Sequence, residues 1–270
     1  MRPDPEKIRL WEARASAYDA ICRRWQTFSL LAGRLVELLP DGVQGHVLDI
    51  GAGSGLTSQH LLDRHPHCEA ILIEPSDAML RLARQRLAGR GARFLAMGLD
   101  GAPVREVRAA AAISSAAMHF LNLEQAFATL HQVIVPGGHV AFNLWWHHWE
   151  ETAGLDCMTG WEAVAEDACR EAALPPPEQR VVAVPVPKTR AELSGAAGNA
   201  GFRLVCEHRD EDLTPVAYGV DFVSMDPAWP IKGLAADDRQ AVLKRMHDLA
   251  DGAVEPLVST RFLFQKTDGR

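Results

Sequence analysis

The sequence predicts an α/β fold: an open, mostly parallel sheet with helices on both faces, and a small molecule held at the end of its first strand. Three observations predict it. The run Val47-Leu48-Asp49-Ile50 is apolar and β-branched, ends in glycines at 51, 53 and 55, and passes into a helix-compatible stretch from Leu56 to Leu62. This is the pattern of a strand, a tight turn and a helix, with no Cβ atoms to keep a ligand from the backbone. Further short apolar runs alternate with amphipathic helical stretches. Finally, 270 residues of which 47% are hydrophobic suffice for a substantial core, as one large domain or one domain with an insertion.

Residues 6–39 read as helical, with one apolar stripe through Ile8, Trp11, Ala15 and Tyr18 and a second from Ser29 to Leu39. Strand one is His46–Ile50 and strand two Ala70–Glu74. Ser76 or Asp77 then caps a helix whose apolar face is Met79, Leu80, Ala83 and Leu87. Its arginines, Arg81, Arg84 and Arg86, read as a solvated face. Arg93–Met97 is the third strand and Ala109–Ser115 the fourth. Asn122 caps a helix carrying Ala126, Phe127, Leu130 and Ile134, and Val140–Leu144 is the fifth strand.

A cluster of three tryptophans, two histidines and two acids spans residues 145–151, just past the carboxyl end of the fifth strand, where open parallel sheets bind ligands. An insertion follows, with a helix near Trp161–Ala173, a break at Pro175-Pro176-Pro177 and a short Val181–Val186 stretch. A helix from Thr189 leads to strand six at Phe202–Glu207. The stretch from Val216 to Ile231 reads as irregular and apolar, and contains Tyr218, Asp221, Phe222, Met225 and Trp229. Asp237 caps a helix striped by Val242, Leu243, Met246 and Leu249, and Ser259–Gln265 is the last strand.

Composition excludes several function classes. A net charge of −7 argues against a nucleic-acid groove, which wants clustered Lys and Arg. No apolar run approaches the ~20 residues of a membrane span, and the amino-terminal residues lack the apolar region of a signal peptide. Five scattered cysteines without a C-x-x-C pair suit reduced thiols, so a cytoplasmic location is expected.

Glycine spacing bears on the ligand. Glycines at 51, 53 and 55 give G-x-G-x-G, not the dinucleotide pattern G-x-G-x-x-G, and no Gly-Lys-Ser/Thr follows for a phosphate loop. Asp49 repels a phosphate there and attracts a cation.

Val47–Gly55 resembles the first motif of the class I S-adenosylmethionine-dependent methyltransferases. Ile71-Leu72-Ile73-Glu74-Pro75-Ser76 resembles that family's second strand, and His131–Val140, with Pro136-Gly137-Gly138, its turn into strand five. Three motifs stand in the right order over roughly residues 40–145. The resemblance implies a Rossmann-like seven-stranded sheet of order 3-2-1-4-5-7-6, strand seven antiparallel. It implies a single domain over 1–270: a helical lid at 1–40, a cofactor core at 41–146, a substrate cap at 147–187, and the rest of the sheet at 188–270, with 215–232 as further lid.

S-adenosyl-L-methionine is the implied cofactor. Asp49, Gly51, Ala52 and Gly53 form its cradle, and Glu74 with Pro75 meets the ribose hydroxyls. Ser114 or Ser115 takes the methionine end, Ser115 being preferred. The family places Gly-Asp after strand three, whereas this chain has Gly98-Leu99-Asp100, one residue out of step. Asp100 or Leu99 therefore meets the adenine. Tyr18 and Trp11 lie over the cofactor or pack on the sheet. His119 falls where the family often has a histidine facing the transfer site.

Methyl transfer from a sulfonium needs positioning, worth roughly 7–11 kcal/mol of barrier, more than it needs a base. Where the acceptor must lose a proton, His119 and His148 are the candidates, with Glu150 and Asp221 behind them. A metal held by His119, His147, His148 and Glu150 is disfavoured: neighbouring histidines on an extended chain point apart, and no H-x-x-x-H spacing occurs. Trp11, Trp145, Trp146, Trp149, Tyr218, Phe222 and Trp229 suggest an apolar or aromatic small-molecule acceptor, with oxygen, nitrogen and carbon all open. A homodimer is compatible with the sequence. The competing readings are a nicotinamide-dependent oxidoreductase and a non-methylating cyclase or scaffold that binds the same cofactor.

Overall fold

The computed structural model describes residues 4–175, 187–225 and 235–267. Its sheet has seven strands in the order β3-β2-β1-β4-β5-β7-β6. β1 (Gly45–Ile50) lies at the centre, parallel to β2 (Cys68–Ile73) and β4 (Ala109–Ser114). β3 (Ala92–Leu95) flanks β2, and β5 (Ile134–Trp145) flanks β4. β7 (Val254–Lys266) runs antiparallel between β5 and β6 (Phe202–Pro215). Strand order reverses between β1 and β4, the place where an open α/β sheet leaves a crevice at its carboxyl ends.

The helices are α1 (Pro5–Arg24), α2 (Thr27–Val36), α3 (Leu56–Arg64), α4 (Asp77–Arg86), the one-turn α5 (Ala102–Arg105), α6 (Leu123–Val133), α7 (Gly160–Glu171), α8 (Arg190–Asn199), α9 (Val216–Ser224) and α10 (Ala236–Leu249). Their starts are locally encoded. Ser76 Oγ accepts from the Met79 amide at α4, and Asn122 Oδ1 from the Gln125 amide at α6. Thr189 and Glu192 form a reciprocal capping box at α8. Each such cap is worth about 1 kcal/mol.

Side chains alternate across the sheet with the strand period of two. Leu48, Ile50, Ile71 and Ile73 face a core shared with Phe127, Phe142, Phe262 and Phe264. Val47, Leu72, Ala111 and Ile113 face the opposite core with Leu35, Leu61 and Leu80. A third cluster contains Phe28, Trp145 and Tyr218, with Tyr18, Phe222 and Ala116 packed against it, and joins α1, α2 and α9 to the end of β5. Among the described residues no helix is long and apolar enough to cross a membrane, and the five cysteines are unpaired.

The structure corrects several local expectations. Val216–Ser224 is a helix. A Cβ on Gly219 within it would come within 3.1 Å of Glu255 Oε1 and 3.2 Å of Trp161 Cδ1, so the helix packs closely there. The last two strands of the chain are much longer than their apolar parts. Charged residues from His208 to Asp212 pair in register with Arg261 to Leu257. Ala235 caps α10, and Asp237 lies within its first turn, where a carboxylate still favours the helix dipole. Pro176, Pro177, the Val181–Val186 stretch, Trp229 and Ile231 lie outside the described residues.

Candidate active site

The glycine loop after β1 is built by two unlike constraints. Gly51 has φ +66°, and a Cβ on it would stand 2.4 Å from the Ala117 Cβ, so only glycine lets the turn after β4 close onto the loop. Gly53 has φ +52° and nothing within 4 Å of its missing Cβ among the described residues. Its amide donates 3.0 Å to Glu74 Oε2, while the Ser76 amide donates 2.9 Å to Oε1. Glu74 thus joins the end of β2 to the loop after β1. It is 8% exposed, and burial raises its carboxyl above the ordinary value. Pro75 is half-buried beside it.

Asp49 is fully buried. Ser58 Oγ donates 2.6 Å to its Oδ2, and Oδ1 has no hydrogen-bond partner among the described residues. Burial lifts its carboxyl to about 7, opposed by the Ser58 bonds. An orphaned carboxylate oxygen under a glycine turn suits a cationic ligand and not a pyrophosphate.

The turn after β4 is fixed from beside it. Ser114 Oγ donates 2.9 Å to the Ile50 carbonyl, so Ser114 spends its hydroxyl on the sheet. Buried Asn143, on β5, accepts 2.6 Å from the Ala116 amide and donates 3.4 Å to Ser115 Oγ. Ala116 is held at φ +51°, a left-handed conformation rare for a residue with a side chain. Nothing in the motifs pointed to Asn143; a polar residue inside the apolar strand Val140–Leu144 was the available signal.

Arg86 also corrects an expectation. It is 17% exposed rather than solvated, donates 2.9 Å to the Ser54 carbonyl and 3.2 Å to Gln59, and pairs at 2.6 Å with buried Asp19. Asp19 also pairs with Arg23. Glu12, on the same helix, accepts from the Ala78 amide at the start of α4 at 3.2 Å. The first helix is therefore clamped onto α4 and the glycine loop. Trp11 and Tyr18 stack edge to face on it, 5.7 Å apart, and Tyr18 meets Phe28 at 5.1 Å. Leu99 is buried with Leu48, Ile50 and Ile73, while Asp100 is half-buried.

Beyond β4 and β5 the rings form a continuous file. Trp145 stacks on Trp146 at 5.9 Å, Trp146 meets His147 at 4.4 Å, His147 meets His148 at 3.8 Å, and His148 stacks on His119 at 3.5 Å with planes 10° apart. Residues 146–148 make a 3-10 turn, not an extended strand. The two adjacent histidines therefore sit together instead of pointing apart. Even so, no group of three His, Cys, Asp or Glu among the described residues is arranged to hold a metal. Burial pushes His119 down to about 3, His147 to about 4 and His148 to about 2, the neighbouring histidines adding to it for His119 and His148.

Two expected site residues lie elsewhere. Trp149 is 1% exposed and packs on Phe262 in the sheet core, since the chain turns inward after the 3-10 turn. Glu150 is exposed and accepts from the Arg190 amide, away from the file of rings. Asp221 is engaged by Trp25 Nε1 at 2.6 Å, Arg24 at 3.2 Å and His247 at 3.0 Å. Tyr218 is fully buried against Phe28 and Phe222, and Trp146 is half-buried.

This strand order, with an acid joined to a glycine loop at the switch point, is that of the Rossmann-like methyltransferase fold. Residues 47–138 match the family described as methyltransferase domain. It is 33% identical over 131 residues to a malonyl-[acyl-carrier protein] O-methyltransferase of Pseudescherichia vulneris, covering 48% of this chain and 49% of the relative. To its namesake in Dechloromonas aromatica it is 33% identical over 144 residues, covering 52% and 51%. The chain thus spans about half the length of the curated relatives it matches. Among solved structures, it is similar in fold to the cyclopropane synthase MmaA2 of Mycobacterium tuberculosis. The TM-score is 0.53 with 16% identity, over 89% of this chain and 83% of the other.

Proposed function

We propose that the chain transfers a methyl group from S-adenosylmethionine to a small molecule with an apolar or aromatic body. The observation that carries this reading is Glu74, whose carboxylate is anchored by the Gly53 and Ser76 amides directly beside the open face of Gly53. In this reading Glu74 takes the ribose hydroxyls, and Gly51, Ala52 and Gly53 pass under the cofactor. The free oxygen of Asp49 faces its cationic end. Ser115 meets the methionine portion, and Leu99 with Asp100 borders the adenine. Bound there, the cofactor supplies an already activated methyl group. The protein's work is to hold the acceptor in line and exclude water.

The three adjoining imidazoles bear on the acceptor. Burial keeps them neutral, and groups held so far below the ordinary histidine value are weak bases. That favours an acceptor atom that is nucleophilic without losing a proton in the site. His119 and His148 then serve as a neutral, polarisable wall.

Calorimetry with S-adenosylhomocysteine and with NAD tests the reading. Wild type binds the former and not the latter. Glu74→Gln weakens the thioether about tenfold or more, as loss of a charge-assisted acceptor predicts. Binding of NAD alone overturns the reading. So does a tight S-adenosylmethionine complex that yields no S-adenosylhomocysteine across a broad acceptor panel.

A further inference from the structure

Buried polar atoms in folded proteins nearly always find partners, so a local concentration of unpartnered ones marks a place where something else belongs. Two such atoms lie in the aromatic cluster over the sheet. Tyr218 is 0% exposed and Trp145 4% exposed, yet neither the Tyr218 hydroxyl nor Trp145 Nε1 has a hydrogen-bond partner among the described residues. Both rings touch the same two neighbours. Phe28 is 5.4 Å from Trp145 and 5.8 Å from Tyr218; Phe222 is 6.0 Å and 6.2 Å from them. Ala116 and Tyr18 border the same cluster, which places it against the strained turn after β4.

Both atoms can donate. An indole N–H only donates. Burial raises the Tyr218 phenol well above its ordinary value, so it keeps its proton and donates as well. Acids on the flanking elements are already committed: Asp221 to Trp25, Arg24 and His247, and Asp19 to Arg86 and Arg23.

We propose that the Tyr218 hydroxyl and Trp145 Nε1 hold an oxygen of the methyl acceptor, which is a planar apolar molecule carrying a carbonyl or carboxylate. Phe28 and Phe222, which touch at 6.1 Å with planes 42° apart, border the place of its body, and half-buried Phe222 is the ring that yields to admit it. The assignment rests on the methyl-transfer reading and names the substrate class of that same site.

Isothermal calorimetry in saturating S-adenosylhomocysteine tests it with 2-acetylnaphthalene and 2-naphthoate, against 2-ethylnaphthalene, which has the same body without the oxygen. Wild type binds at least one oxygen-bearing probe more tightly than 2-ethylnaphthalene. Tyr218→Phe and Trp145→Phe each remove about tenfold of that preference, the loss expected for one hydrogen bond, and leave 2-ethylnaphthalene unchanged. Because the hydroxyl has no internal partner, ligand-free Tyr218→Phe melts at or above the wild-type temperature. The proposal is overturned if neither oxygen probe is preferred by wild type. It is overturned equally if the variants weaken all three probes alike, or if Tyr218→Phe melts several degrees lower, which would assign the hydroxyl a structural partner. Affinity for S-adenosylhomocysteine, measured separately on each variant, fails only if the cofactor reading fails.

Discussion

Arg86 and Asp19 meet at 2.6 Å although α4 and α1, which carry them, begin 72 residues apart, at Asp77 and Pro5. The pair is 17% and 6% exposed, and its guanidinium also reaches the Ser54 carbonyl inside the glycine loop. Arg86→Ala leaves Asp19 buried with only the exposed Arg23 beside it. Urea melts should show a loss of roughly 3 kcal/mol, as for breaking a buried pair by removing one partner. Adding Asp19→Asn should restore part of it, because the orphaned charge goes too.

The approach of Gly51 to Ala117 gives a second prediction. Gly51→Ala faces both a left-handed φ and a 2.4 Å contact. It should destabilise by about 2 kcal/mol and weaken S-adenosylhomocysteine binding. Ala117→Gly in the same chain should recover the steric part and not the conformational part, so thermal melts of the double variant should fall between Gly51→Ala and wild type.

The stacked histidines predict an acid-sensitive fold. His119, His147 and His148 have folded values of about 3, 4 and 2, below the unfolded value near 6.5. The unfolded chain therefore binds more protons. Stability is fully present above about pH 6.5 and falls as pH drops toward those folded values. Asp49, Glu74, Glu162 and Glu255, all raised, act in the opposite sense, while burial lowers His60, His65 and His139 as well. Thermal midpoints should fall between pH 7 and pH 4, and His119→Asn should flatten the slope.

Asp49 predicts a proton linkage in binding. Its carboxyl sits near 7 in the ligand-free chain, so a bound ligand's ammonium, which favours the carboxylate, should expel a proton. Calorimetry of S-adenosylhomocysteine near pH 6.5, in buffers of differing ionisation enthalpy, should report net proton release, with affinity rising toward pH 8. Asp49→Asn should abolish both.

The half of the chain that follows local rules was readable before any coordinates. A β-branched run ending in alternate glycines admits little but a strand and a tight turn, and Ser76 and Asn122 mark their helices by capping chemistry alone. The parts that escaped are those decided at a distance. Arg86 looks like any arginine on a helix face until Asp19 arrives from α1. Trp149 belongs to a conspicuous aromatic run, yet its burial depends on Phe262 in the last strand. The charged half of β6 carries no apolar alternation, and only pairing with β7 makes it a strand. Asn143 was visible as an oddity, but its task of holding Ala116 was not.

Besides the clamp of α1 onto α4 and the glycine loop, the amino-terminal helices are tethered to the far part of the chain. Trp25 bonds to Asp221, Thr27 to Thr214, Arg34 to Asp212, and the Arg34 carbonyl accepts from Arg261, across separations of 187 to 227 residues for the Thr27 and Arg261 contacts. These tethers form only once residues 212 to 261 have been made. A nascent chain halted before Val254 would keep the α1 clamp, while Asp212 and Thr214, on β6, would lack the strand that pairs them. The amino-terminal helices would then be secured in two stages, the α1 clamp first and the ties of α2 to β6 and β7 last.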